Sequence, residues 1–222
     1  MSIFAAVIMN VMEQVSFLFD LDGVIFDTEG QYSVLWGELG ERYFSDRNFG
    51  DKVKGQTLRG IFDTYFRDDL RAQKEIAARL DEFESRMTYS YIPGVERFLA
   101  ELKSLNCRTA VVTSSDRTKM QKVYMAHPEM ISMFTRIFTG EDFARSKPAP
   151  DCYLQGMRFF GTEPGRTYIF EDSFNGLRAA KDSGGKVIAL ATTNSREEVS
   201  PYADLVIDDF VGMTVGQLLR MQ

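Results

Sequence analysis

The sequence has 222 residues, of which 44% are hydrophobic and 26% are charged, and its formal net charge at pH 7 is −6. This length and composition are typical of a globular protein with a substantial core, built as one domain or as one domain with an insertion. The acidic balance offers no cationic surplus to neutralise phosphate groups, so we expect neither nucleic acid nor a membrane surface as a partner.

The chain begins with a short apolar stretch, MSIFAAVIMNVM, and its first basic residue is Arg42. A secretory signal would begin with positive charge, and a membrane span would need about 20 apolar residues. We therefore predict that residues 1–14 are either a loosely held N-terminal extension or the result of a start-site error, with Met9 or Met12 as the true start. The two cysteines, Cys107 and Cys152, are too few for a disulfide framework and lack a zinc pattern, which favours a cytoplasmic location.

Beyond this stretch, apolar β-branched runs alternate with segments of helical period. The runs that predict strands are 15–20, 108–113, 136–140, 167–172, 186–191 and 203–208. The segments that predict helices between them are 95–105, 116–126, 150–161 and 174–184. Continuous apolar strands separated by helices indicate a parallel sheet covered on both faces. We therefore predict an α/β fold with a Rossmann-like parallel-sheet core.

Residues 31–90 differ from the rest of the chain because they are charged, helical in period and without a convincing strand. They follow the first predicted strand, and the turn-forming pair Pro93 and Gly94 marks the return to the sheet. We predict a helical cap domain over residues 31–90. The core domain then comprises residues 15–30 and 91–222.

Polar residues follow the predicted strands at the point where each strand ends. Several of them are carboxylates, and an isolated carboxylate is costly to bury. They are Asp20 and Asp22 after the first strand, Thr113, Ser114 and Ser115 after the strand at 108, Glu171 and Asp172 after the strand at 167, and Lys147 before the helix at 150. Because the carboxyl ends of parallel strands meet at one edge of a sheet, we expect these side chains to converge there.

Such a set of side chains fits phosphoryl transfer. Asp20, Asp22 and Asp172 offer the hard oxygen ligands that suit Mg²⁺. One aspartate can act as a nucleophile and form an aspartyl-phosphate, and a carboxylic acid two residues further can protonate the leaving oxygen and then activate water. Lys147 and the hydroxyl of Thr113 can stabilise charge on the phosphoryl oxygens.

The chain resembles the haloacid dehalogenase superfamily in the segments FDLDGVIFDT, VVTSS, KPAPD and IFEDSFNG, and the resemblance spans residues 16–209. It is most similar to the branch with a helical cap, which contains β-phosphoglucomutases and sugar-phosphate phosphatases. The resemblance implies Asp20 as nucleophile and metal ligand, and Asp22 as general acid/base and as metal ligand through its backbone carbonyl. It further implies catalytic roles for Thr113 and Lys147, substrate contacts for Ser114 and Ser115, and metal binding by Glu171 and Asp172.

Two departures from the mutases favour a phosphatase. Mutases have a histidine twelve residues after the first aspartate, where this chain has Tyr32, and their cap arginine is replaced by Leu58, with Arg59 beside it. From the cap we expect Gln56, Thr57 and Arg59 to bind the substrate. We thus predict a Mg²⁺-dependent phosphatase acting on a small phosphorylated metabolite such as a sugar phosphate. The alternatives are a β-phosphoglucomutase-type mutase and a non-catalytic phosphate-binding relative.

Overall fold

A computed structural model describes residues 14–220, and within them six strands form one sheet. The strands are β1 (Ser16–Phe19), β2 (Arg108–Val112), β3 (Arg136–Phe138), β4 (Thr167–Glu171), β5 (Lys186–Leu190) and β6 (Leu205–Ile207). Their order in the sheet is β3-β2-β1-β4-β5-β6, and all neighbouring pairs are parallel. The predicted α/β fold with a parallel sheet is confirmed. The predicted extension, apart from Gln14, lies outside the described residues.

Helices connect and cover the strands. In the described part of the chain they are α1 (Glu29–Phe44), α2 (Phe49–Val53), α3 (Leu58–Tyr65), α4 (Leu70–Glu84), α5 (Val95–Ser104), α6 (Arg117–Ala126), α7 (Met130–Met133), α8 (Asp151–Phe160), α9 (Phe174–Asp182), α10 (Arg196–Val199) and α11 (Val215–Leu219). Among these helices, none is both long enough and apolar enough to cross a membrane.

The central strands are buried on both faces, which explains their continuous apolar sequences. Successive side chains of a strand point to opposite faces. In β1, Phe17 and Phe19 therefore pack into one core with Phe98 of α5, whereas Leu18 packs into a second core with Tyr153 of α8. Since β1 lies between β2 and β4, the strand order reverses at its carboxyl end. This reversal places a crevice at the position where open α/β sheets bind ligands.

Helices α1 to α4 follow one another between β1 and α5, and we refer to residues 29–84 as the helical insert. The insert has a hydrophobic core of its own, which includes Trp36, Phe49 and Ile76. An ionic contact joins it to α6: the ammonium of Lys122 lies 2.6 Å from Asp81 Oδ1 and 3.2 Å from Glu84 Oε2. The insert is therefore held over the carboxyl edge of the sheet.

Candidate active site

A cluster of carboxylates lies at the carboxyl edge of the sheet, at the ends of two neighbouring strands. Asp20 follows β1, and its backbone N–H donates to Phe170 of β4 at 3.0 Å. Glu171 ends β4 and Asp172 follows it. One carboxylate oxygen from each of Asp20, Glu171 and Asp172 lies within 4.8 Å of the others, and all three residues are buried. The structure thus brings these predicted site residues together.

The ammonium of Lys147 is buried between two of these carboxylates. It lies 2.7 Å from Asp20 Oδ1 and 2.6 Å from Glu171 Oε1. Burial raises the pKa of Asp20 to about 7, although Lys147 opposes this rise. Burial, together with Glu171 and then Glu29, raises the pKa of Asp172 well above its ordinary value. A single lysine therefore does not neutralise the cluster.

The residues present fit a divalent cation. Asp172 Oδ1 is buried without a hydrogen-bond partner in the described residues, while its Oδ2 accepts from Thr193. The backbone of Gly23 passes so close to Asp172 that a Cβ atom added to this glycine would lie 2.1 Å from Asp172 Oδ2. A carboxylate oxygen that is buried and unpartnered beside Asp20 is a suitable ligand for Mg²⁺. Asp20 and Asp172 would therefore hold the ion.

Glu171 is bonded on both of its oxygens by groups of the protein. Oε1 accepts from Lys147 and from the hydroxyl of Tyr153, at 2.6 and 3.0 Å. Oε2 accepts from the backbone N–H groups of Asp172 and Ser173, at 2.8 and 2.9 Å. These bonds fix the start of the loop after β4, so Glu171 orients Asp172. A direct metal-binding role for Glu171 remains a prediction.

Asp22 accepts hydrogen bonds from three side chains. The hydroxyl of Thr28 donates to Oδ1 at 2.5 Å, and the hydroxyl of Ser115 donates to Oδ2 at 3.1 Å. The ammonium of Lys119 also lies 2.5 Å from Oδ2. Lys119 was not among the predicted site residues. A sequence signal for it exists, because it stands in the first turn of the helix that follows the VVTSS segment.

The catalytic edge and the insert enclose a cavity of about 290 Å³. The predicted residues that line it are Asp20, Asp22, Thr113, Ser114, Ser115, Asp172 and Gln56. Two predicted insert residues lie elsewhere. Thr57 caps α3, where its hydroxyl accepts from the Gly60 N–H at 3.1 Å. Arg59 has a side chain that is 92% exposed and pairs with Asp63, so the structure does not bring it to the cavity.

Comparison with known proteins agrees with this geometry. The sequence pattern of the family described as haloacid dehalogenase-like hydrolase matches residues 17–190. The chain belongs to this family. It is 32% identical over 213 residues to protein CbbY of Cereibacter sphaeroides, with 87% of this chain and 91% of that protein covered. It is 26% identical over 201 residues to validoxylamine A 7′-phosphate phosphatase of Streptomyces hygroscopicus subsp. limoneus, with 86% and 92% covered.

A solved structure shares the fold of this haloacid dehalogenase-like hydrolase. It is a hydrolase of family IA, variant 3, from Entamoeba histolytica, with a TM-score of 0.78 and 21% identity over 93% of this chain and 98% of that one. At this identity the likeness concerns the fold alone. Family membership, together with relatives named as phosphatases, confirms the predicted class of enzyme, a phosphoric monoester hydrolase.

Proposed function

We propose that the protein is a Mg²⁺-dependent phosphatase that hydrolyses a small organic phosphate monoester through an aspartyl-phosphate on Asp20. The observation that carries this proposal is the position of the Asp20 carboxylate in the cavity. Its Oδ1 is held by Lys147, and its Oδ2 has no hydrogen bond to any residue between 14 and 220. One oxygen is thus fixed while the other is available as a nucleophile.

In the first half-reaction, Asp20 attacks phosphorus, and the bond between phosphorus and the ester oxygen breaks. Asp22, in its protonated form, gives its proton to the leaving alcohol oxygen. The ammonium of Lys147 and the hydroxyl of Thr113 stabilise the charge that develops on the phosphoryl oxygens. When bound at Asp20 and Asp172, Mg²⁺ would supply further positive charge to these oxygens.

In the second half-reaction, water attacks the phosphorus of the aspartyl-phosphate. The carboxylate of Asp22 takes a proton from this water, and the bond between phosphorus and Asp20 breaks. The products are the alcohol and inorganic phosphate, and both aspartates return to their initial states. Ser114 and Ser115 stay proposed substrate contacts, because they line the cavity next to Thr113.

The helical insert is proposed to act as a cap that closes over the substrate and excludes water. Two further hydrogen bonds between the insert and the core support this role. The hydroxyl of Ser114 donates to the carbonyl of Gly55 at 2.7 Å, and the backbone N–H of Thr57 donates to the hydroxyl of Ser146 at 2.7 Å. A closing cap favours a small phosphorylated metabolite as the partner. For the location, the two buried cysteine thiols support the cytoplasmic assignment.

The position twelve residues after Asp20, where the mutases have a histidine, does not support the mutase alternative. Tyr32 occupies it, and the tyrosine hydroxyl donates to Glu84 Oε1 at 2.9 Å. Burial, together with Asp22 and Glu84, raises the pKa of Tyr32 well above its ordinary value, so this side chain keeps its proton. A non-catalytic relative is also not favoured, because Asp20, Asp22 and Lys147 are all present.

The proposal is tested by phosphate release from a panel of hexose, pentose, nucleoside, glycerol and alkyl phosphates, with Mg²⁺ and with a chelator. The wild type is compared with Asp20→Asn and with Asp27→Asn, an exposed aspartate of the same loop. We expect release that needs Mg²⁺, is lost in Asp20→Asn and persists in Asp27→Asn. Release that survives in Asp20→Asn, or that is indifferent to the chelator, contradicts the proposal.

A further inference from the structure

The helical insert contributes an apolar wall to the cavity, beside polar residues such as Lys54, Gln56 and Glu84. The wall is lined by Trp36, Val53, Leu58, Ile61, Ala77 and Leu80. We propose that the alcohol part of the substrate is a compact, mainly apolar group of about the size of a six-membered ring, and not a polyhydroxylated sugar. This inference rests on the proposed phosphatase function and narrows its substrate class.

The apolar wall is a fixed surface. Trp36, Val53, Ile61 and Leu80 are all buried members of the core of the insert. Their positions are therefore set by packing against α1 to α4, and they cannot rotate away to expose polar groups. An apolar ligand group would remove the exposed part of this wall from water, which is the main source of affinity in such pockets.

Several polar side chains at the insert side of the cavity already bond to groups of the protein. Glu84 accepts from Tyr32 and Lys122, and Asp81 also accepts from Lys122. The amide of Gln56 donates to the carbonyl of Lys52 at 2.8 Å. Sugar hydroxyls placed against these groups would exchange their bonds to water for acceptors that already serve protein donors, which gives little net gain in binding.

Glu29 offers a further oxygen near the catalytic edge, besides those of Asp20 and Asp172. Glu29 Oε2 lines the cavity side of α1 and is buried without a hydrogen-bond partner in the described residues. The cavity volume of about 290 Å³ is at the lower limit of small-molecule sites, which span about 300–1,000 Å³. The site therefore suits a small ring or short alkyl group with few hydroxyl groups.

Cyclohexylmethyl phosphate and glucose 6-phosphate form a matched pair for the test, because each carries a primary phosphate ester on a six-membered ring. They differ in the ring oxygen and the hydroxyls. We expect kcat/KM to be about 30-fold higher for cyclohexylmethyl phosphate, with most of the difference in KM. Equal or better turnover of glucose 6-phosphate would overturn the inference, while leaving the phosphatase function intact.

Calorimetric binding to Asp20→Asn separates this inference from the proposed function, since it needs no turnover. We expect the cyclohexylmethyl ester to bind this variant about 30-fold more tightly than glucose 6-phosphate. An equal or reversed order of affinity overturns the inference. Absence of turnover in the wild type with the expected order of binding would instead contradict the proposed function alone.

A substitution on the wall tests its role directly. Leu58→Asn places an amide on the cavity at a half-buried position, and Leu70→Asn is the matched control at an exposed leucine. We expect Leu58→Asn to lower kcat/KM for cyclohexylmethyl phosphate about 10-fold and not to lower that for glucose 6-phosphate. Leu70→Asn should change neither. An equal change in kcat/KM for both esters in a folded Leu58→Asn protein contradicts the inference. If this variant does not fold, the comparison of the two esters in the wild type decides the inference.

Discussion

The ammonium of Lys119 lies 2.5 Å from Asp22 Oδ2 and 4.5 Å from the centre of the Tyr32 ring. The lysine side chain is only 2% exposed, so this is a buried ion pair. It joins the proposed acid/base residue to α6 and, through Tyr32, to the insert. Together with Thr28 and Ser115, Lys119 therefore orients Asp22 from a helix that carries none of the clustered carboxylates.

Replacing Lys119 should impair catalysis through Asp22. In Lys119→Met we expect kcat to fall about 10- to 100-fold with KM nearly unchanged, which is less than the about 10²–10⁴-fold effect of losing a general acid. Lys119→Arg should recover part of the loss, and Lys103→Met, at an exposed lysine, should have no effect. Steady-state kinetics on folded variants provide the measurement. A kcat within twofold of the wild type in Lys119→Met would show that Asp22 needs no such partner.

Removal of Lys147 should destabilise the protein, because it leaves the carboxylates of Asp20 and Glu171 buried without a cation. We expect Lys147→Met to lower the free energy of unfolding by about 3–5 kcal/mol. Urea unfolding measures this change. Adding Glu171→Gln to Lys147→Met should restore part of the stability, since one buried charge is then removed. A double variant less stable than Lys147→Met would mean that the charge of Glu171 is not the source of the cost.

The raised pKa of Asp20, about 7 instead of 3.8, predicts how stability depends on pH without a metal ion. The folded state holds this proton more tightly than the unfolded chain, so the free energy of unfolding decreases as pH rises from about 4 to about 7. For one group the slope is at most about 1.4 kcal/mol per pH unit.

Thermal unfolding between pH 4 and pH 8 in the presence of a chelator tests this dependence. With rising pH, we expect the unfolding midpoint to fall less steeply in Asp20→Asn and in the wild type with Mg²⁺. In the variant the negative charge of residue 20 is removed, and in the wild type Mg²⁺ compensates it. Asp27→Asn should keep the wild-type slope. A midpoint that rises over this range with chelator present would contradict the sign.

The contact of Lys122 with Asp81 and Glu84 should stabilise the closed arrangement of the insert. We expect Lys122→Ala to raise KM about two- to fivefold, and added salt to do the same in the wild type only. Trp36 is the only tryptophan in the sequence and lines the cavity, so its fluorescence reports ligand binding in both proteins. Equal salt sensitivity of KM in the variant and the wild type would assign the salt effect to other charges.

The sequence predicted the parts of the site that follow from strand order. Asp20 and Asp172 each follow a buried strand, and the carboxyl ends of adjacent parallel strands must lie close together. Lys119 and Tyr153 escaped prediction because they stand on helices, where the direction of a side chain depends on how the helix packs on the sheet. Arg59 shows the same limit: it is next to the loop at the cavity, but the first turn of α3 directs it to solvent.

The catalytic residues and the apolar wall belong to separate stretches of the chain. Asp20, Lys147 and Asp172 lie outside the insert, whereas the wall lies entirely between residues 36 and 80. Sequence divergence confined to that stretch can therefore exchange one accepted alcohol for another while the nucleophile and its neighbours are inherited unchanged. For laboratory evolution, this makes residues 36–80 the region to randomise when a new ester is to be hydrolysed.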